Sequence, residues 1–289
     1  MTSELKYTLG SVLFILLLAA TYGLRLAVKG RVHFDRVERQ GGSRFLSKRA
    51  MEFGYWSLEP VARLLVLMRV SPNTVSWASL GFGFLAGSCL AMGHFGFGAI
   101  LATVSGLLDS LDGMVARLSG VASEAGEVLD AAVDRYVDFL FLSGLLIYYR
   151  HIPGLQILTL LALLGSFMVS YSTTKAEALK VDAPKGSMRR PERAVYLILG
   201  AGLSAVTIPW LETAQLEFSI RVGYPMVVAL GLVAVAGNLS AIERFWSIAK
   251  AVRVREKVLA EARKKAAENV VIEERGGSQS SHRAADIRV

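Results

Sequence analysis

Residues 109–134 read DSLDGMVARLSGVASEAGEVLDAAVD, with four aspartates, Asp109, Asp112, Asp130 and Asp134, at the facing ends of two apolar segments. An ionisable residue at membrane depth costs roughly 2.5–3.5 kcal/mol on insertion scales, so four gathered there need a reason. On a helical wheel begun at Asp109, the residues Asp112, Gly113, Ala116 and Arg117 all fall with it inside an arc of about 140°. Two carboxylates flank two positions with little or no side chain, and a guanidinium closes the edge. A ligand can approach the backbone over such a floor, with metal ligands above it and a phosphate-pairing cation beside it.

On the second segment Gly126, Asp130 and Asp134 recur every four residues and share one face. The short turn between Arg117 and Gly126 predicts two antiparallel neighbours whose aspartate faces meet. Four converging carboxylates repel unless cations lie between them. With no His or Cys in the stretch, an oxygen-only donor set selects hard divalent ions, Mg²⁺ or Mn²⁺, and two of them would neutralise the charge. Pairing with basic residues inside the bundle is the structural alternative, but Arg117 and Arg135 are the only local partners and leave an acidic excess. Asp138, three residues past Arg135 on the same helix, is expected to pair with it.

Working outward, the 289-residue chain is 53% hydrophobic and 19% charged, too apolar for an average soluble domain. Uncharged runs at 7–24, 70–108, 152–174, 194–211 and 222–242, with the long run split at Gly93-His94-Phe95-Gly96 and a further span within 127–149, predict seven membrane helices. Threading them alternately puts 28 of the 32 Lys and Arg on one side, which the positive-inside rule makes cytoplasmic. Topology and anionic headgroups therefore account for the net charge of +8, and nucleic acid is excluded as its explanation. The first run lacks a small-x-small site and reads as a retained helix rather than a cleaved signal, with its amino terminus outside. The single Cys89 can form no internal disulfide and reads as an inert thiol in an apolar helix.

Between the first two spans lie a basic connector with Gly41-Gly42 and then an amphipathic stretch, Phe53, Tyr55, Trp56, Leu58, Val61, Leu64, Leu65 and Met68 among charges, suited to the membrane interface. Ser71-Pro72 starts the next helix as cap and first-turn proline, and its Gly81, Gly83, Ala86 and Gly87 allow close helix packing. After the last span, 250–268 continues as a charged helix, and from Glu273 the composition reads as disordered tail.

The pattern Asp109-x2-Asp112-Gly113-x2-Ala116-Arg117-x8-Gly126-x3-Asp130-x3-Asp134 resembles, at every specified position, the signature of the CDP-alcohol phosphotransferases (class I CDP-alcohol phosphatidyltransferases). The resemblance covers about 71–248. It implies an all-α polytopic membrane bundle with a six-helix family core, extended here by one N-terminal transmembrane helix and an interfacial amphipathic helix. The division is then 1–28 for the N-terminal helix, 29–70 for linker and amphipathic helix, 71–250 for the catalytic membrane domain, and 251–289 for cytoplasmic extension and tail.

The same resemblance implies that Asp109, Asp112, Asp130 and Asp134 bind two divalent cations, Mg²⁺ or Mn²⁺, with Asp134 also the general base. The CDP-lipid donor would contact Gly113, Ala116, Arg117, Ser123 and the helix start Pro72, Asn73, Thr74 and Val75. The acceptor hydroxyl attacks the lipid-bearing phosphorus and CMP leaves. Relatives are homodimers, and the expected setting is a prokaryotic cell membrane with the active site facing the cytoplasm.

The acceptor is written elsewhere. Lys175, in S-Y-S-T-T-K-A-E, and Arg190 and Arg193, in R-P-E-R, gather positive charge near the cytoplasmic face and suit a phosphorylated acceptor. These stretches look like those of the inositol-phosphate lipid branch, whose basic residues grip the acceptor phosphate, although Thr173 stands where a second basic residue is common. Inositol phosphate leads, glycerol 3-phosphate follows, and an unphosphorylated alcohol such as serine is the alternative. A divalent-cation transporter would also carry aspartates in spans, but has no need of Gly113, Ala116 and Arg117 beside them.

Overall fold

The computed structural model describes residues 3–29, 48–182, 188–213 and 222–285. Most of the basic connector, residues 30–47, lies outside the described residues. Among the described residues the chain is all helix, with no strand: α1 (Ser3–Lys29), α2 (Lys48–Leu67), α3 (Pro72–Ala91), α4 (Phe95–Leu118), α5 (Glu124–Tyr148), α6 (Pro153–Leu179), α7 (Arg190–Thr213) and α8 (Tyr224–Ala285). The helices form two compact units, one of residues 1–171 and 186–241, the other of 172–185 and 242–289.

In the first unit the expected starts and reversals are realised by local chemistry. Ser71 caps α3, its hydroxyl accepting the Thr74 N–H at 3.2 Å, with Pro72 in the first turn. The reversal between α3 and α4 falls at Gly93, whose φ of +83° suits glycine, and His94 N–H donates to the Cys89 carbonyl at 2.8 Å. Ser123 caps α5 through the Gly126 N–H at 3.2 Å. Glu192, buried near the start of α7, accepts the Arg189 N–H at 2.9 Å and so fixes the first turn that carries Arg190 and Arg193.

The aspartate faces of α4 and α5 meet as expected, at Asp109, Asp130 and Asp134, but the bulk of the packing lies elsewhere. Each packs far more extensively on α3 than on the other. The small residues of α3 make this possible: a Cβ on Gly87 would strike the backbone of α5 at Leu140, and one on Gly144 would strike Gly87. The main core joins Leu90, Phe95, Leu142, Leu145 and Tyr149 to Met226, Leu230 and Val233. A second cluster packs Leu58 and Ala62 of α2 on Val75 of α3 and Leu111, Met114 and Val115 of α4, the last three flanking Asp112 in sequence. The remaining apolar face of α2, with Val61, Leu64 and Leu67, stays exposed, as an interfacial helix requires. Tyr22 of α1 is buried against Phe53 and Trp56, with ring centroids 5.4 and 5.1 Å away, so the extra helix is fastened to α2.

Among the described residues four helices are long and apolar enough to cross a membrane: α3, α4, α6 and the stretch Tyr224–Lys264 of α8. The architecture is that of a multi-pass helical membrane protein. Of the other expected spans, α5 carries all its Asp, Glu, Lys and Arg residues before Phe139 and α1 contributes a shorter apolar stretch, Leu16–Ala27.

The second unit holds the end of α6 and the later part of α8. Arg244 donates to the Thr173 hydroxyl at 2.8 Å and Arg255 to the Leu179 carbonyl at 2.7 Å. The helix continues to Ala285, where composition led to an irregular tail from Glu273. Extending an existing helix costs far less than nucleating one, and no proline interrupts α8 after Pro225.

Candidate active site

Three of the four motif aspartates converge. Asp109 of α4 and Asp130 and Asp134 of α5 each offer a carboxylate oxygen within 4.8 Å of the others. All three are half-buried. Asp112 stands apart from this triad: its Oδ2 accepts the Ser76 hydroxyl at 2.6 Å and its Oδ1 the Gly113 N–H. Ser76 is four residues past Pro72 on the buried side of α3, a position the helical period alone could have flagged.

Beside the triad opens a cavity of about 620 Å³. Pro72, Asn73, Gly113, Ala116, Arg117 and Ser123 line it, together with Asp112 and Asp130. Asp130 thus belongs both to the cavity and to the carboxylate triad. Glu124 and Glu127, in the first turn of α5, are lining residues that the sequence reading missed. Thr74 and Val75 are not among the lining residues. Thr74 turns back to the Ser71 hydroxyl at 2.8 Å, and Val75 is buried in the α2–α4 apolar cluster, because successive residues of a helix start point in different directions.

Local arginines were expected to leave the aspartates in excess, and here the structure corrects the sequence. Arg190, 81 residues from Asp109, enters the cluster from the start of α7: its Nη1 lies 2.7 Å from Asp109 Oδ2 and 2.8 Å from Asp134 Oδ1. Burial alone would lower the Arg190 guanidinium, but the carboxylates of Asp109, Asp134 and Asp138 raise it on balance, so the cation is firmly held. Asp138 pairs with Arg193, Nη2 to Oδ2 3.1 Å, rather than with Arg135. Arg135 instead donates to the Ala131 carbonyl at 2.7 Å and lies 3.8 Å from Asp134. The Arg193 side chain is 2% exposed, and a guanidinium so buried takes the carboxylate within reach. Lys175 belongs to the second unit and is exposed there.

The donor set fits a hard divalent ion. Its ligating atoms are all carboxylate oxygens, and Asp109 Oδ1 is buried with no hydrogen-bond partner of its own.

Comparison with known proteins agrees with this geometry. The model of the CDP-alcohol phosphatidyltransferase family matches residues 69–236. A phosphatidylinositol phosphate synthase of Corynebacterium glutamicum is 32% identical over 158 residues, which make up 53% of this chain and 72% of that protein. The protein of the same name from Mycobacterium bovis is 32% identical over 196 residues, 65% of this chain and 84% of its own. The crystal structure of Mycobacterium tuberculosis phosphatidylinositol phosphate synthase in complex with manganese and citrate aligns with a TM-score of 0.57 at 29% identity, covering 65% of this chain and 87% of that one. The same enzyme with CDP-DAG bound gives 0.56 at 28%, covering 65% and 92%. A helical membrane core, aspartates of α4 and α5 converging beside a polar cavity, and a family match over more than half its length make this chain a member of the CDP-alcohol phosphatidyltransferase family, a transferase of phospholipid synthesis.

Proposed function

We propose that the protein transfers a phosphatidyl group from CDP-diacylglycerol to a hydroxyl of inositol phosphate and releases CMP. The observation that carries this reading is the meeting of two chemistries at Asp130: a cavity of nucleotide size on one side, a carboxylate cluster bordered by Arg190 and Arg193 on the other. The relatives named phosphatidylinositol phosphate synthase, one of them solved with CDP-DAG, support the choice of donor and acceptor.

In this reading Pro72, Asn73 and Ser123 border the nucleotide. Gly113 and Ala116 leave room for its pyrophosphate against the backbone of α4, and Arg117 pairs with a phosphate oxygen. Asp109, Asp130 and Asp134, joined by Asp112 from the cavity wall, would hold divalent ions, which supply positive charge to the pyrophosphate and polarise the phosphorus under attack. Asp134 takes the proton of the acceptor hydroxyl as its oxygen bonds to the lipid-bearing phosphorus. The bond from that phosphorus to the bridging oxygen breaks, and the electron pair leaves with CMP. Arg190 and Arg193 bind the acceptor's own phosphate and so orient its hydroxyl. The preponderance of basic residues on one side of the spans favours a cytoplasmic site, and a homodimer is the expected assembly.

The test is CMP release by the purified protein from CDP-diacylglycerol with Mg²⁺ or Mn²⁺, against inositol 1-phosphate, glycerol 3-phosphate, serine and inositol. Inositol 1-phosphate should be used best. Preference for glycerol 3-phosphate would retain the donor chemistry and overturn the acceptor. Absence of CMP with every acceptor would overturn the proposal whole.

A further inference from the structure

The two edges of the Arg190 guanidinium are unequally engaged. The Nη1 edge sits between Asp109 and Asp134, at 2.7 and 2.8 Å. The Nε edge faces Asp138, but at 3.9 Å, and Nε is buried with no hydrogen-bond partner. Asp138 in turn has Oδ2 occupied by Arg193 at 3.1 Å, while its Oδ1 is the atom nearest Arg190 Nε. A second seat for the same cation therefore lies one carboxylate away from the first.

The first seat is also where a divalent ion belongs. Asp109 and Asp134 are two of the three carboxylates that could hold one. A small divalent ion draws its oxygen ligands to about 2.0–2.6 Å, and a guanidinium spanning the same two oxygens would lie against it as a like charge at short range. The ion could take Asp109 Oδ1, which has no hydrogen-bond partner, but the guanidinium on Oδ2 would still stand beside it as a like charge, so the two cations compete for this pair of carboxylates.

We propose that Arg190 is an exchangeable internal cation, which holds Asp109 and Asp134 until a divalent ion takes them and then turns onto Asp138 beside Arg193 to face the acceptor phosphate. This rests on the proposed function and adds an order to it. The ion arriving at the carboxylates is what releases the second arginine of the acceptor site. Because the coupling is a free energy between two sites, it runs both ways: an Arg190 settled on Asp138 leaves the carboxylates free to bind the ion. A seat occupied by Arg190 also weakens apparent ion affinity by the fraction of molecules in which the carboxylates are taken. Asp138 acts here as a positioning residue for Arg190, distinct from the base Asp134.

The experiment measures Mn²⁺ affinity by electron paramagnetic resonance on the purified full-length protein, without CDP-lipid, so that no turnover enters. Arg190→Gln should bind Mn²⁺ roughly tenfold more tightly than the wild type, since the competing cation is gone. Arg190→Lys, a more conservative change should the first variant fold poorly, should fall between them. Asp138→Asn should weaken Mn²⁺ binding a few-fold in the wild-type background, because the displaced arginine has lost its second seat, and should have no effect in Arg190→Gln. A simple loss of negative charge would instead weaken Mn²⁺ equally in both backgrounds, and that result overturns the exchange. So does an Arg190 variant that binds Mn²⁺ no more tightly than the wild type; either result leaves the donor and acceptor assignment intact. A wild-type protein that binds no Mn²⁺ and releases no CMP would overturn both.

Discussion

The cavity and the charged cluster beside it share Asp130 and are otherwise built in opposite ways. The cavity is assembled from residues near one another in sequence, 71–76 and 112–130, held by two serine caps and floored by Gly113 and Ala116. The cluster is assembled from distant partners: 81 residues separate Asp109 from Arg190 and 55 separate Asp138 from Arg193. One is open and polar, the other closed by ion pairs between half-buried or buried groups. In the proposed function the difference separates two tasks. An open cavity suits a bulky nucleotide that must enter and leave, whereas a closed charge network fixes groups whose positions the reaction depends on. Mutations should therefore divide into those that affect chemistry, those that affect acceptor use and those that affect donor use.

The largest effect is expected at the proposed base in the cluster. Asp134→Asn keeps the shape of the side chain but removes its basicity, and CMP release should fall by about 10²–10⁴-fold, the range typical of a positioned general base. Circular dichroism and the melting temperature should stay near the wild-type values, since Arg190 retains Asp109 and Asp138 as partners. Turnover at the wild-type rate would move the base elsewhere.

A smaller and more selective effect is expected from Arg193→Ala. Its KM for the acceptor should rise by roughly tenfold or more, the loss of about one charge-assisted hydrogen bond, while the KM for CDP-lipid moves little. Part of the change will appear as stability, because Asp138 then keeps only the more distant Arg190. If both KM values rise together, Arg193 is a structural residue and the separation of the two regions fails on the cluster side.

The same contrast governs how much could be read from sequence. Part of the cavity was legible, because Pro72, Asn73, Gly113, Ala116, Arg117 and Ser123 act within a turn or two of their neighbours and the helical period places them, whereas Ser76, Glu124 and Glu127 were missed. Val75 was misplaced for the same local reason, its direction being set by the packing of α2 on α4. The pairings of the cluster were not legible. Sequence shows a charge its neighbours at three or four residues, so Asp138 was matched to Arg135, and only the fold brings Arg193 within 3.1 Å. Nothing near Thr173 announces that Arg244, 71 residues on, donates to its hydroxyl. The membrane bundle was legible from hydropathy, but the wedge of α3 between α4 and α5 depends on the backbone contact of Gly87 with Gly144, which composition suggests and only packing assigns.

The smallest effect tests the cavity side, at Ser76→Ala. The Ser76 hydroxyl holds Asp112 Oδ2 at 2.6 Å, and the other oxygen accepts the Gly113 N–H, so the carboxylate is pinned at both ends over the floor of the cavity. Removing the hydroxyl leaves a buried carboxylate oxygen short of one partner, a cost of about 1–3 kcal/mol if nothing replaces it. Asp112 lies on the cavity wall, and there a water can take the place of the lost hydroxyl, which should hold the effect to a few-fold rise in the KM for CDP-lipid. Acceptor KM should stay unchanged, the reverse of the signature expected for Arg193→Ala. Ser76→Thr, which keeps the hydroxyl four residues from Pro72, should restore donor binding. An acceptor effect from Ser76→Ala would mean that the pinned carboxylate serves both sides, and that Asp130 is not the only residue through which the cavity and the cluster communicate.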